Sequence, residues 1–384
     1  MRRTVRICYA GSYERNYPRN RLVIRALRAA GARVEEAHVP VFERVRDKSG
    51  LGMPGALLVG LRLLAAYVRL APETALRLLR CDALAVGYIG QLDMLVLGSV
   101  ARLLGRPVIF NPLVTLTDTL VDDRAIVATG SLPARLVELV DRLSLRLATT
   151  VLVDTEETGR FIHERFGVPR SAVVVVPASA EESVFHPSAE PAPSGGPLDV
   201  VFIGTFIPLH GIATILRAVA LLEARGAPVR VELVGTGQTY QQMRALAEQL
   251  AIRPSTLTWT DWLPYAQLGA RLRRADVALG VFDAGAKAAR VVPNKVYQSL
   301  ACGVATVTRS CPPAEALLRD GEDALLVPPA DPAALADAIT RLCDAAERAR
   351  IARNGYAAFQ KHASEAALAD ALQPLVQSLG KRGR

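Results

Sequence analysis

Aromatic residues make up only 5% of the chain and tryptophan occurs twice, so stacked platforms for single-stranded nucleic acid have little to be built from. Cysteine is scarce and odd in number: Cys8, Cys81, Cys302, Cys311 and Cys343 stand at no metal-ligand spacing. A disulfide framework is excluded, and a reducing, cytoplasmic compartment fits. No uninterrupted apolar run reaches membrane-spanning length, because the longest, Leu51 to Ala71, is broken by Pro54, Arg62, Arg69 and glycines. Met1 is followed by Arg2, Arg3 and Arg6 and then by a strand-like run, so no signal peptide is expected. Gly235-Thr236-Gly237 lacks the third glycine of a dinucleotide fingerprint, since Tyr240 stands in its place, which argues against an oxidoreductase.

What is present is apolar material for two cores. A chain of 384 residues with 51% hydrophobic and 22% charged residues has the composition of a folded protein of two domains. The net charge of +9 is unevenly placed, because residues 1–80 carry 16 Lys or Arg against 6 Asp or Glu. That excess fits an anionic membrane surface or a phosphorylated acceptor; no nucleic-acid-binding motif accompanies it.

Short apolar strands alternate with helical patterns along the whole chain. Thr4–Tyr9 reads as a first strand, followed by the loop Gly11–Asn20 and a helix to Gly31. Ligands of such βαβ units sit beyond the carboxyl ends of the strands, which makes Gly11, Ser12, Tyr13 and Arg19 candidate acceptor-side residues. Pro54–Arg80 is an amphipathic helix with Arg62, Arg69, Arg77 and Arg80, readable as a core helix with snorkelling arginines or as one lying in a bilayer interface. Asn111–Arg124 follows a strand end, and its Asp118, Asp122 and Asp123 fit helix caps, a cation site or a catalytic edge. His186–Pro197 is a Pro/Gly-rich break, after which the alternation restarts. The expected organisation is a first domain at 1–185, a linker at 186–197, a second domain at 198–355 and a returning helix at 356–384.

The stretch Asp283–Gly303, D-A-G-A-K-A-A-R-V-V-P-N-K-V-Y-Q-S-L-A-C-G, organises the second half. Lys287, Arg290, Pro293, Asn294 and Lys295 form a basic loop feeding a helix N-terminus. Unpaired N–H groups, the helix dipole and two kinds of cation make that a place for an anion, a phosphate or diphosphate.

Several segments together resemble a glycosyltransferase of the GT-B type, close to family 4. They are F-I-G-T-F-I-P-L-H-G, E-L-V-G-T-G, L-T-W-T-D-W-L-P, R-A-D-V-A-L-G-V-F, P-N-K-V-Y-Q-S-L-A-C-G and L-L-R-D-G-E-D-A-L-L-V-P-P-A-D-P, in the family's order across residues 199–340. The resemblance implies an α/β fold of two Rossmann-like doubly wound domains facing across a cleft. It implies a retaining transfer from a UDP-, GDP- or dTDP-sugar, with the donor in the second domain and the acceptor in the first. The acceptor would be a glycan, glycolipid or small glycoside. Donor-binding positions carried over are Gly204, Thr205, His210, Gly211, Gly235, Gly237, Trp262, Leu263, Lys287, Arg290, Pro293, Asn294, Lys295 and Gln298. No cofactor is expected beyond the nucleotide sugar, and no metal, since no D-x-D motif precedes a nucleotide site.

Departures from the family are as informative as matches. The two glutamates that relatives place eight residues apart are Arg290 and Gln298 here, and the usual diphosphate-gripping Arg and Lys are Thr205 and His210. Lys287, Arg290 and Lys295 are expected to compensate for that lost charge. Thr117-Asp118 stands where the family has a histidine next to an aspartate, so Asp118 and Arg290 are the candidate catalytic residues. The departures keep other readings open: a silent nucleotide-sugar-binding protein, or an enzyme of the same fold using a non-sugar donor or phosphorolysis. The expected location is cytoplasmic, with peripheral contact at the inner face of an anionic membrane.

Overall fold

A computed structural model describes residues 3–41, 53–188 and 196–382. The chain divides into two units, Met1–Pro177 with Glu365–Arg384 and Ala178–Ser364.

The first unit runs β1 (Arg6–Gly11), α1 (Pro18–Ala29), β2 (Arg33–His38), α2 (Met53–Leu78), β3 (Ala83–Val86) and α3 (Gln91–Asp93). A wide π-type turn (Met94–Gly98) leads into α4 (Ser99–Leu103), then β4 (Val108–Phe110) and a second π-type turn (Asp118–Asp123). It ends with α5 (Leu132–Leu147), β5 (Thr150–Val153), α6 (Glu156–Phe166) and β6 (Val173–Val175). All six strands pair in parallel, in the order β2-β1-β3-β4-β5-β6. The inner strands β3, β4 and β5 are covered on both faces, which is why they read as continuous apolar runs. Along β1, Ile7 and Tyr9 join Leu22, Ala26 and Leu27 of α1 in one core. Cys8 and Ala10 face the other way, onto Leu63 and Leu70 of α2 and Met94. Helix starts are set locally: Ser131 caps α5 by accepting from Ala134 N, and Thr155 caps α6 by accepting from Thr158 N.

The second unit runs β7 (Leu198–Ile203), α7 (Ile212–Ala224), β8 (Val229–Val234), α8 (Tyr240–Gln249), β9 (Leu257–Thr260), α9 (Tyr265–Arg273) and β10 (Val277–Leu279). It continues with α10 (Asn294–Ala301), β11 (Ala305–Arg309), α11 (Pro312–Leu317), β12 (Leu325–Val327), α12 (Pro332–Arg341) and α13 (Ala345–His362). Its parallel sheet has the order β12-β11-β10-β7-β8-β9, which reverses between β7 and β10. The last helix, α14 (Glu365–Arg382), belongs to the first unit, where Leu368, Leu372 and Val376 enter the core of α1 and Arg25 pairs with Glu365 at 2.9 Å.

The sequence pattern differs from the fold in places. It runs one helix over Pro332–Ala346, whereas α12 stops at Arg341 because Asp344 caps a new helix, accepting from Ala346 N and Glu347 N at 2.8 and 3.1 Å. The run Asp276–Phe282, D-V-A-L-G-V-F, has a strand pattern throughout but is strand only over Val277–Leu279. The expected linker 186–197 falls later than the division between units, and its residues 189–195 lie outside the described residues. Before it, Phe185 is buried in the second unit against Tyr265, with ring centroids 5.5 Å apart.

Candidate active site

Ligands of open parallel sheets bind where the strand order reverses, beyond the carboxyl ends of the strands. In the second unit that place lies between the loop Gly204–Gly211, after β7, and the loop Gly280–Pro293, after β10. The two are locked at the backbone: Phe282 N–H donates to His210 O at 3.1 Å. Gly211 has φ +63°, and a Cβ there would stand 2.4 Å from Asp283 N. The loop after β8 joins them, with Gly204 N–H donating to Val234 O and Phe206 N–H to Thr236 O, both at 2.9 Å. A Cβ on Gly235 would meet Gly204 O at 2.1 Å, and one on Gly237 would meet Phe206 O at 2.7 Å. These glycines allow three loops to approach at backbone distance.

Lys295, the second residue of α10, sends its side chain into this crevice. Its Nζ lies 3.7 Å from the centroid of the Phe202 ring. The amine is shielded from solvent and has no hydrogen-bond partner among the described residues. Burial holds its pKa well below the usual lysine range. His210 is buried beside it, its Nδ1 hydrogen-bonded with Thr205 O and its ring edge-on to Phe202 at 5.5 Å.

The remaining donor-side positions surround this point. Pro293, in extended conformation, is the N-cap of α10 and offers no side-chain cap to the first N–H groups. Gln298 lies one turn after Lys295 on the same helix face and is 9% exposed. Lys287 is buried and Arg290 half-buried, in a turn where Arg290 N–H donates to Lys287 O at 3.0 Å. Trp262, 71% exposed, and half-buried Leu263 follow the edge strand β9.

In the first unit the order reverses between β1 and β3. Ser12 is buried there and faces inward: its N–H donates to Asp93 Oδ2 at 2.7 Å and its hydroxyl to Asp93 Oδ1 at 2.9 Å. Tyr67 of α2 donates to the same Oδ1 at 2.9 Å. Desolvation raises the Asp93 carboxyl to about 6. A Cβ on Gly11 would lie 2.4 Å from Asp93 Oδ2, so Gly11 makes room for this anchor. Tyr13 donates to Glu36 at 2.9 Å, and Arg19, 1% exposed, donates to Asn111 Oδ1 at 3.0 Å and to the carbonyls of Val176 and Pro177 at 2.7 Å. Asp118 opens the second π-type turn and is buried, its N–H donating to Thr115 Oγ1 at 3.1 Å. The preceding turn is held by Asp141, which accepts from Leu116 N, Thr117 N and Thr117 Oγ1. Asp122 pairs with Arg165 at 2.7 Å.

Known proteins match both units. A family model described as "Glycosyl transferases group 1" matches residues 197–345, and one described as "Glycosyl transferase 4-like domain" matches residues 5–179. The chain is similar to the solved sucrose-phosphate synthase of Thermosynechococcus elongatus, with a TM-score of 0.69 at 17% identity over 98% of this chain and 100% of that one. It is also similar to Anabaena HepE in complex with UDP, with a TM-score of 0.66 at 14% identity over 99% and 100% of the two chains. This chain belongs to the GT-B glycosyltransferases of the family-4 type.

Curated relatives of this family-4-type chain are two D-inositol 3-phosphate glycosyltransferases. That of Acidothermus cellulolyticus is 27% identical over 225 residues, 55% of this chain and 49% of its own. That of Thermomonospora curvata is 27% identical over 253 residues, 58% and 56%. The chain spans about half the length of the curated relatives it matches. The α/β fold of two Rossmann-like units expected from the resemblance is the fold found.

Three residues of these strand edges escaped the sequence reading. Phe202 reads as a core residue of β7, yet its ring meets Lys295 Nζ. Arg309, at the end of β11, is buried and donates to Asp283 O. Asp93 gave no signal beyond an acid at a helix start. Arg309 alone had a usable one, a cation closing an otherwise neutral strand.

Proposed function

We propose that the chain transfers a hexosyl group from a nucleoside-diphosphate sugar to an acceptor hydroxyl, with retention at the anomeric carbon and without a metal ion. The observation that carries this reading is Lys295 Nζ, buried where the strand order reverses and without a hydrogen-bond partner among the described residues. A buried amine without a counter-charge is costly, and a diphosphate supplies the missing acceptor oxygens. The N-terminus of α10, with Lys287 and Arg290 before it, adds positive potential where the leaving diphosphate gains charge.

Roles follow from placement. Gly204, Thr205, His210, Gly211, Gly235 and Gly237 form the backbone floor for the donor. Pro293 and Asn294 set the helix N-terminus, Gln298 serves the ribose hydroxyls, and Trp262 with Leu263 serves the base. The bond from the anomeric carbon to the phosphate oxygen breaks with its electron pair leaving on the diphosphate. The bond to the acceptor oxygen forms as the hydroxyl proton passes to the departing diphosphate oxygen. The first unit holds the acceptor, a glycan, glycolipid or small glycoside, with Asp118 at its edge. UDP-glucose is the first donor to try, because HepE has been solved with it, followed by GDP- and dTDP-sugars.

A second reading is favoured by Arg290 and Gln298 in place of the family's glutamates: a protein that binds the nucleotide sugar without transferring it. A donor panel read by thermal shift, followed by mass spectrometry of products over an acceptor library with and without chelator, separates the two. Chelator-insensitive product with the anomeric configuration of the donor supports the first. A shift without product supports the second, and no shift with any donor contradicts both.

A further inference from the structure

Exposed large hydrophobic side chains are not scattered over this protein. Among the described residues, 14 of the 16 lie between Leu58 and Leu143, on or beside α2, the α3–α4 run and α5. These helices are neighbours: α2 packs on the Met94–Gly98 turn and on α4, and α5 packs on the same turn and on α3.

On α2, exposed Leu61, Leu64 and Val68 lie on the opposite side from buried Leu63, Leu70 and Thr74, and exposed Leu79 follows just after its end. On α5, exposed Leu132, Leu136, Leu139 and Leu143 recur three or four residues apart, opposite buried Ala134, Asp141 and Leu145. Both stripes therefore point away from the core. Leu103, at the end of α4, is 87% exposed. Soluble surfaces ordinarily leave such residues scattered singly rather than gathered on neighbouring helices.

The charge beside the stripes has one dominant sign. Arg62, Arg69 and Arg80 flank the α2 stripe, and Arg135, Arg142 and Arg146 flank that of α5. The acids among them are engaged: Glu73 pairs with Arg77 at 2.9 Å and Glu138 with Arg142 at 3.1 Å. Arg80 also lines an open cavity of about 530 Å³ with Arg3, Arg6 and Arg33, next to the exposed Leu79. Among the described residues the exposed patch carries no Trp, Tyr or Phe, the aromatic anchors of many protein–protein interfaces. Leucine stripes bordered by arginine suit a surface of hydrocarbon under phosphate.

We infer that this three-helix face docks on an anionic phospholipid bilayer, its leucines entering the interface and its arginines meeting headgroup phosphates. No described helix is long and apolar enough to cross the membrane, so the contact is peripheral.

The test is co-sedimentation of the full chain with vesicles of phosphatidylcholine alone or mixed with phosphatidylglycerol. Binding to the mixed vesicles at low salt is expected, weakening about tenfold at high salt as headgroup charge is screened. Leu64→Glu with Val68→Glu, and independently Leu136→Glu with Leu139→Glu, each lower binding by about tenfold or more, since one charge in the interface outweighs several contacts. Solvent exposure of all four positions keeps the fold, checked by a cooperative melt; if one pair unfolds, the other is read. Absence of binding to anionic vesicles at low salt overturns the inference, as does full binding by a folded leucine pair. A dimer in equilibrium sedimentation that the same pairs dissolve assigns the face to a second copy and also overturns it.

Discussion

Gly204 leaves the space that Lys295 fills: a Cβ on Gly204 would stand 2.5 Å from Lys295 Nζ and 3.2 Å from His210 Cε1. The absence of a side chain after β7 and the presence of an amine on α10, 91 positions later in the sequence numbering, are one arrangement. Gly204→Ala must therefore move the lysine. It should weaken nucleotide binding and destabilise the unit by roughly 1–3 kcal/mol, the cost of overpacking. Calorimetric titration with UDP and urea melts measure both; an unchanged melt and affinity would show that the crevice has slack.

Lys295→Met separates function from stability. The folded amine has a lowered pKa, whereas the unfolded one titrates near an ordinary lysine value of about 10.4. Below that value the unfolded chain binds the extra proton, so wild-type stability rises with pH toward it and is lowest where the folded amine too is charged. Methionine removes this penalty. At pH 7 the variant should be more stable, by the roughly 1–3 kcal/mol that an unsatisfied buried group costs, and the advantage should shrink toward pH 10. Melts at the two values check it. A less stable variant at pH 7 would mean that the amine serves the fold.

Asp93 gives the opposite sign. Its folded pKa of about 6 lies above the ordinary carboxylate value, so the folded chain binds the extra proton between about 4 and 6. The stabilisation is complete below about pH 4 and is lost as the pH rises through 6. Compared with Asp93→Asn, the wild type should lose on the order of 2–3 kcal/mol of advantage across that window and none above it. Asparagine also cannot accept from Ser12 N–H, Ser12 hydroxyl and Tyr67 hydroxyl through both of its side-chain atoms, so the variant should be the weaker at low pH. A flat difference between pH 4 and 7 would contradict the burial argument.

Much of this fold was legible because parallel strands are apolar on both faces. Ala83–Val86, Val108–Phe110 and Thr150–Val153 stand out as short runs between turn residues. Boundaries set by a single capping contact, such as Asp344 breaking the helix after Arg341, were lost in a continuous helical pattern. Positions defined by one neighbour's chemistry, such as Lys295 at a helix start, were legible from local charge. What stayed hidden rests on distant partners: Asp93 receives Ser12 across 81 positions, and Arg309 reaches Asp283 across 26. Nothing around Asp93 distinguishes it from an ordinary surface acid until the sheet brings β1 beside β3. The glycines at 204, 211 and 235 were visible as turn residues, but their need for backbone approach appears only when three loops meet.

The diphosphate crevice is tested most directly by isothermal titration of UDP and GDP into the wild type, Lys295→Ala and Arg290→Ala at neutral pH. The wild type should bind one nucleotide, with a loss of about tenfold or more in Lys295→Ala and a smaller loss in Arg290→Ala, since a charge-assisted hydrogen bond is worth roughly 1.5–3 kcal/mol. Affinity unchanged in both variants, with the wild type binding, would contradict the assignment of the diphosphate to this crevice.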